Sequence, residues 1–164
     1  MPSPDSRRSP SNRPLGIETD QGASPSAGHS RGPVTIGQSV GPLTFTISNV
    51  GNSTTGTITA VVGDNTHYMV SSTCATLAPG ANCTASVTYT ASGTAGPQNS
   101  TITVSSTPGG TVQSSLTATA ITVGQLAISP TNPAAFASVV EGGTGATQMF
   151  TITNNGGSAS GIPS

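Results

Sequence analysis

The chain has 164 residues, of which only 5% are charged and 3% are aromatic, and its formal net charge is -1 at pH 7. Nucleic-acid binding is not expected, because the one basic cluster is Arg7, Arg8 and Arg13, and phosphate backbones are bound through many basic side chains. No window approaches the roughly 18 consecutive apolar residues of a membrane-spanning helix, so membrane insertion is not expected either. The N-terminus also lacks the apolar segment of a secretory signal.

The segment 1–32 is rich in Ser, Pro, Gly and Arg, and its main apolar residues are Leu15 and Ile17. Such a composition cannot bury enough apolar surface to offset the entropy that is lost on ordering. We therefore predict a disordered leader, which is either a functional tail or a stretch foreign to the native protein.

From residue 33 to residue 121, apolar and hydroxyl residues alternate with a period of two, which is typical of strands with one buried and one solvated face. The strand-favouring residues Val, Ile and Thr dominate, and Gly and Pro interrupt them at intervals too short for helices. This alternation predicts about seven short strands, near residues 34–36, 43–48, 58–62, 67–70, 84–90, 102–104 and 112–118. The fold class is therefore all-β, an immunoglobulin-like antiparallel β-sandwich of two facing sheets.

A short strand-and-turn sequence occurs twice in the chain. Phe-Thr-Ile-Ser-Asn-Val-Gly at residues 45–51 returns as Phe-Thr-Ile-Thr-Asn-Asn-Gly at residues 150–156. A strand that ends in an Asn/Gly turn and recurs at a long interval indicates a repeated β-domain. The sequence thus predicts one complete domain at 33–121, followed at 122–164 by a linker and the first strands of a truncated second domain.

Two strands are predicted late in this C-terminal segment, at 136–140 and 149–153. Their large apolar side chains, Phe136, Val139, Phe150 and Ile152, have no partners within the segment. Either the segment is disordered, or it lies against the first domain, or another chain covers it. Because an exposed apolar strand edge is a template for pairing, these four residues are the candidate site for strand addition to another molecule.

The two cysteines are Cys74 and Cys83, and the stretch between them contains Leu77-Ala78-Pro79-Gly80. This stretch favours a chain reversal that would bring the cysteines opposite each other. We therefore predict a disulfide across a hairpin, which favours an oxidising compartment. The alternative, half of a zinc site, falls short of four ligands. No metal or cofactor is expected.

No catalytic site is predicted. His67 lies close to Asp64 in a serine-rich chain, so a hydrolytic triad can be imagined, but hydroxyl groups this common carry no information by their presence. The simpler interpretation is a turn at Asp64-Asn65, with His67 on the loop or strand that follows. Asp64 and Glu141 are too far apart in sequence to form a calcium cage or a catalytic carboxylate pair. We therefore do not expect an enzyme.

The repeated strand at 45–51, the segment Cys-Ala-Thr-Leu-Ala-Pro-Gly-Ala-Asn-Cys at 74–83 and the strand Val-Thr-Tyr-Thr at 87–90 together carry a resemblance. They resemble the immunoglobulin-like repeats of large bacterial surface and secreted proteins, of the choice-of-anchor or ASPM-SPD-2-Hydin-like type. The resemblance implies a non-catalytic, extracytoplasmic module arranged in tandem, and it implies no substrate. The opening strand of the repeat is visible after residue 126, but the sequence offers no counterpart before Val34.

Three functions follow as hypotheses. The first is a structural or adhesive spacer, extracellular or at the cell surface, whose partners are neighbouring repeats or copies of itself. The second is a glycan- or protein-binding module appended to an extracellular enzyme, for which Tyr68 and Tyr89 are the candidate aromatic platforms. The third is a cytoplasmic scaffold, in which Cys74 and Cys83 would be reduced.

Overall fold

The computed structural model describes residues 15–19, 29–131 and 135–161. These residues form strands and contain no helix. The strands are β1 (Leu15–Thr19), β2 (His29–Thr35), β3 (Ser39–Asn49), β4 (Thr59–Val62), β5 (Tyr68–Ser72), β6 (Asn82–Thr90), β7 (Gly96–Pro97), β8 (Ser100–Ser106), β9 (Gly110–Ile121), β10 (Leu126–Ser129) and β11 (Thr151–Asn154).

Strands β1 to β9 make two sheets, which we call the sandwich. One sheet has the order β1-β3-β6-β5, and every pair in it is antiparallel. The other has the order β2-β9-β8-β4, with the short β7 also paired to β9. In this second sheet β2 runs parallel to β9, while the other pairs are antiparallel. The predicted fold class, an immunoglobulin-like β-sandwich, is confirmed.

The core lies between the two sheets and follows the alternation seen in the sequence. On β3 every second residue from Leu43 to Asn49 is buried, and the two threonines and the serine between them are half-buried. Three of the buried apolar side chains are aromatic, Phe45, Tyr68 and Tyr89, and the others are aliphatic. The largest fully buried residues are Tyr89, Phe45, Ile47, Ile102, Val104 and Asn49. The period of two therefore places the apolar residues inside and the hydroxyl residues towards solvent.

The prediction of a disordered leader is wrong for two of its segments. Leu15–Thr19 forms β1, which pairs with the end of β3 so that Leu15 lies opposite Asn49. The Leu15 side chain is only 4% exposed and belongs to the core. The strand predicted near 34–36 starts earlier, at His29 inside the predicted leader, and His29–Thr35 forms β2 along the edge of the other sheet. Both strands depend on hydrogen bonds to residues far away in sequence, which local composition cannot reveal. Residues 1–14 and 20–28 lie outside the described residues.

The sequence offered no counterpart before Val34 for the opening strand of the repeat. In the structure, β1 takes this place. Leu15 lies opposite Asn49 in the β1–β3 pair, and Leu126 lies opposite Asn154 in the β10–β11 pair. Asn49 and Asn154 are the equivalent asparagines of the two copies of the repeated sequence. The two pairs therefore share the same antiparallel register.

Strands β10 and β11 form a separate two-stranded sheet, which we call the C-terminal sheet. The strand predicted at 136–140 is not formed, and Phe136, Val139 and Val140 are exposed in an irregular segment. The physical reason is that a strand needs a neighbour to satisfy its backbone groups. Within the described part of the chain, no such neighbour lies beside these residues.

The two tyrosines pack against each other in the core, with ring centroids 5.1 Å apart. The Tyr68 hydroxyl donates to the Gln98 carbonyl at 2.7 Å, and the Tyr89 hydroxyl donates to Gln98 Oε1 at 2.8 Å. Gln98 Nε2 in turn donates to the Ser92 carbonyl at 2.6 Å. Gln98 thus ties the loop between β6 and β8 to the core, and both hydroxyls are satisfied.

This arrangement predicts how the tyrosines titrate. Burial, followed by the charges of Tyr89 and Asp64, raises the pKa of Tyr68 to about 12, and burial also raises the pKa of Tyr89. Because the folded pKa of Tyr68 exceeds its usual value of 10.0, its contribution to stability is complete below that value and is lost as the pH rises towards about 12.

We therefore expect the folded chain to show little tyrosinate absorbance at pH values where free tyrosine is half ionised. The measurement is an ultraviolet pH titration of the folded chain, with the chain unfolded in guanidinium as the control. Tyrosinate that appears in both samples over the same pH range would contradict the buried cluster.

Candidate functional site

The disulfide between Cys74 and Cys83 is formed, with their Cα atoms 5.2 Å apart. The chain reverses at Ala78–Ala81, where the Ala81 amide donates to the Ala78 carbonyl at 3.0 Å. Cys83 lies on β6 directly opposite Ile47 of β3. The cross-link therefore joins the loop after β5 to β6, which is one of the two inner strands of the four-stranded sheet.

Asn49 connects this disulfide-linked hairpin to the end of β3. Its side chain has no exposed surface. Nδ2 donates to the Ser53 carbonyl at 2.8 Å and to the Leu77 carbonyl at 2.9 Å, and Oδ1 accepts from the Gly51 amide at 3.0 Å. A buried amide is tolerated only when its polar atoms are paired, so these bonds fix both the turn and the hairpin.

Asn154 makes the equivalent contacts in the second copy of the repeated sequence. Its Nδ2 donates to the Ser158 carbonyl at 2.7 Å, and its Oδ1 accepts from the Gly156 amide at 2.9 Å. Asn154 Oδ1 also accepts from the Gln125 amide at 2.9 Å. The two copies of the sequence therefore fold into the same local turn, although Asn154 is exposed where Asn49 is buried.

The candidate strand-addition residues are divided by the structure. Ile152 lies on β11 opposite Ile128, and Phe150 directly precedes this strand. Phe150 and Ile152 are 45% and 58% exposed, whereas their counterparts Phe45 and Ile47 are completely buried.

Phe136 and Val139 do not join this sheet. They are 70% and 47% exposed in the irregular segment between the strands. The candidate site is therefore the C-terminal sheet alone, and within the described residues β11 pairs only with β10.

Asp64 and His67 form a close pair, with His67 Nδ1 and Asp64 Oδ2 2.6 Å apart. The hydrogen bond from His67 lowers the pKa of the Asp64 carboxyl. Asp64 Oδ1 also accepts from the Thr66 amide at 2.9 Å, and the Asp64 amide donates to the Ser100 hydroxyl at 2.9 Å. These contacts are those of a capped turn, so the interpretation of Asp64-Asn65 as a turn is confirmed.

One motif was missed in the sequence. Residues 37–41 read Gly-Gln-Ser-Val-Gly, which fits the Gly-x-Ser-x-Gly pattern of a nucleophile elbow. That elbow requires a strand followed by a helix. Here Ser39 is instead the first residue of β3, and its hydroxyl lies 2.8 Å from the Thr90 hydroxyl. In this fold the motif thus covers the end of the turn after β2 and the first residues of β3.

Two further site hypotheses can be compared with the structure. Tyr68 and Tyr89 are buried, so their rings are not available as platforms for a sugar. Among the residues that the structure describes, no group of three or more His, Cys, Asp or Glu could hold a metal ion. The described residues also include no helix long and apolar enough to cross a membrane.

Comparison with known proteins supports the fold. No protein-family model matches the sequence, and no curated protein matches it. A family 123 glycoside hydrolase from Clostridium perfringens matches 66% of this chain with a TM-score of 0.51 and 10% identity. The secreted serine protease VesC from Vibrio cholerae matches 67% of it, with a TM-score of 0.44 and 21% identity.

A third structure, the ASH / PapD-like domain 7 of human CEP192, matches 75% of the chain with a TM-score of 0.46 and 11% identity. The match covers 96% of that domain, but only 27% of the glycoside hydrolase and 24% of the protease. This chain thus spans about a quarter of the length of the two enzymes. The likeness to the Clostridium perfringens structure shows the fold alone.

The buried position of Asn49 leads to a prediction. Asn49→Ala would remove the donor to the Ser53 carbonyl and one of the two donors to the buried Leu77 carbonyl, which keeps the Thr55 amide, and it would remove the acceptor of the Gly51 amide. It should lower the free energy of unfolding by about 1–3 kcal/mol. Asn52→Ala, an exposed asparagine of the same turn, should change it by less than about 0.5 kcal/mol. Urea unfolding of the two variants measures the difference. Equal stabilities would show that the Asn49 bonds contribute nothing.

Proposed function

We propose that the chain is a structural or adhesive spacer module of a bacterial cell-surface or secreted repeat protein, of the ASPM-SPD-2-Hydin-like type that its sequence resembles. Its role is mechanical rather than catalytic. The observation that carries the proposal is the Cys74–Cys83 cross-link, which closes a hairpin that Asn49 binds to the end of the inner strand β3.

The side chains of Asp64, His67, the two cysteines and the two tyrosines could carry chemistry but have structural tasks, and this supports a non-catalytic role. Asp64 and His67 cap a turn, and the tyrosines hold a loop through Gln98. The cysteines are joined to each other. A spacer needs these properties, because its task is to remain folded while it separates other parts of a protein.

The proposed location is outside the cytoplasm. Disulfides form and persist in oxidising compartments and are rare in reducing ones. The low charge of the chain is compatible with close-packed neighbouring modules, because it avoids long-range repulsion between them. The proposed partners are therefore neighbouring repeats or further copies of this chain.

The spacer role makes the disulfide important for stability. Reduction, or the double change Cys74→Ser with Cys83→Ser, should lower the free energy of unfolding by roughly 2–3 kcal/mol, because the short loop regains its freedom in the unfolded chain. Limited proteolysis and urea unfolding of oxidised and reduced chain measure the loss. An oxidised chain that is digested as quickly as the reduced one would count against a mechanical role.

A glycan array would separate this proposal from a binding module appended to an enzyme. A spacer should give no saturable binding to any glycan on the array. Saturable binding that survives disulfide reduction but is lost on a surface substitution would favour the binding module instead.

The C-terminal sheet supplies a more specific part of the proposal, which is assembly by strand addition. In the sandwich, β3 receives β6 on the edge that lies away from β1, with Phe45 opposite Ala85 and Ile47 opposite Cys83. The equivalent edge of β11 would accept an antiparallel strand in the same manner. In the first copy, the small residue Ala85 lies opposite Phe45. If the added strand keeps this register, it needs a small residue opposite Phe150.

Assembly of this kind is tested by placing a charge on the apolar face of β11. Ile152→Lys should weaken self-association by at least about tenfold, which corresponds to about 1.4 kcal/mol. Thr151→Lys is the matched control, because the adjacent residue of a strand points to the opposite face. Sedimentation over a range of concentrations measures both variants. If Ile152→Lys assembles like the unchanged chain, the strand-addition proposal fails.

A further inference from the structure

Only four residues, 122–125, separate the last residue of β9 from the first residue of β10. A linker of this length can act either as a hinge or as a fixed joint. The difference depends on whether its backbone groups are held by the units on both sides. Each of the four residues has a hydrogen bond or a close backbone contact that bears on whether the linker can bend.

On the side of the sandwich, the chain is held up to Ile121. This residue pairs with Thr35 of β2. Its carbonyl also accepts a hydrogen bond from the Ile36 amide at 2.8 Å. The linker therefore starts from a position that is fixed within the five-stranded sheet.

On the other side, the turn that follows β11 holds the linker at both of its ends. The Gly157 amide donates to Thr122 Oγ1 at 2.8 Å. The Gln125 amide donates to Asn154 Oδ1 at 2.9 Å, and the Gln125 carbonyl accepts from the Asn155 amide at 2.7 Å. Three hydrogen bonds thus join a four-residue linker to one turn.

Between these hydrogen bonds, the two backbones are in direct contact. A Cβ atom added at Gly156 would lie 2.6 Å from the Gln125 nitrogen and well inside van der Waals contact with the Val123 carbonyl. One added at Gly157 would lie 3.0 Å from the Ile121 Cβ atom, and one added at Gly124 would lie 2.9 Å from the Ala159 carbonyl oxygen. The approach therefore requires glycine on both sides of the contact.

We propose that this turn, residues 154–158, locks the linker so that the sandwich and the C-terminal sheet keep one fixed mutual orientation. Every residue from Ile121 to Gln125 is held by one unit or by the other, so no residue is left to act as a hinge. The joint sets a constant angle between successive units, which a spacer role does not by itself require. It is independent of strand addition, because the edge of β11 that lies away from β10 takes no part in it.

The test is backbone ¹⁵N relaxation of the full chain. Order parameters for residues 122–125 should match those of β9, near the value of about 0.85 that is typical of rigid backbone. Gly156→Ala should lower them below about 0.6, the range of flexible segments. Gly161→Ala is the matched control, because a Cβ atom there meets nothing within 4 Å, and it should leave the values unchanged.

A second variant keeps the test decisive if Gly156→Ala unfolds the C-terminal sheet. Thr122→Val removes the acceptor of the Gly157 amide from an exposed position, and it should lower the order parameters of the linker while both sheets stay folded. The proposal is overturned if the unchanged chain has a mobile linker beside a rigid β9. It is also overturned if Gly156→Ala or Thr122→Val folds normally and leaves the linker as rigid as before.

Discussion

Asn49 holds the end of the central strand β3 against the disulfide-linked hairpin, through a side chain that has no contact with solvent. Strand β3 lies between β1 and β6, so the position of its end fixes three strands of one sheet at once. The bonds of Asn49 would be costly to leave unmade, because a buried amide without partners is strongly unfavourable. The disulfide then limits the freedom of the same hairpin in the unfolded chain.

The opposite part of the sandwich is organised by a different polar side chain. Gln98 accepts from Tyr89, donates to the loop after β6, and offers its own carbonyl to Tyr68. Both devices add polar contacts to a core that has three buried aromatic rings and is otherwise aliphatic, and whose burial provides the hydrophobic stabilisation. One buried amide, one half-buried amide and one cross-link thus specify the arrangement through paired polar groups.

The two copies of the repeated sequence illustrate how local and tertiary effects separate. Asn49 and Asn154 make the same contacts to the residues two and four positions later. Their surroundings differ, because Phe45 is enclosed by two sheets while Phe150 directly precedes β11 of a sheet of only two strands. The turn is thus a property of the local sequence, and burial depends on what packs against it.

The sequence by itself determined the all-β class, the buried face of each main strand and the pairing of Cys74 with Cys83, because alternation and short-range turns are local properties. It also located Phe150 and Ile152 of the candidate site. Only the tertiary structure decided that Leu15–Thr19 is a strand, that the strand predicted near 34–36 begins at His29, that 136–140 is not a strand, and that a turn holds the linker. These features depend on hydrogen bonds that backbone groups make with residues far away in the chain, and local composition does not record such partners.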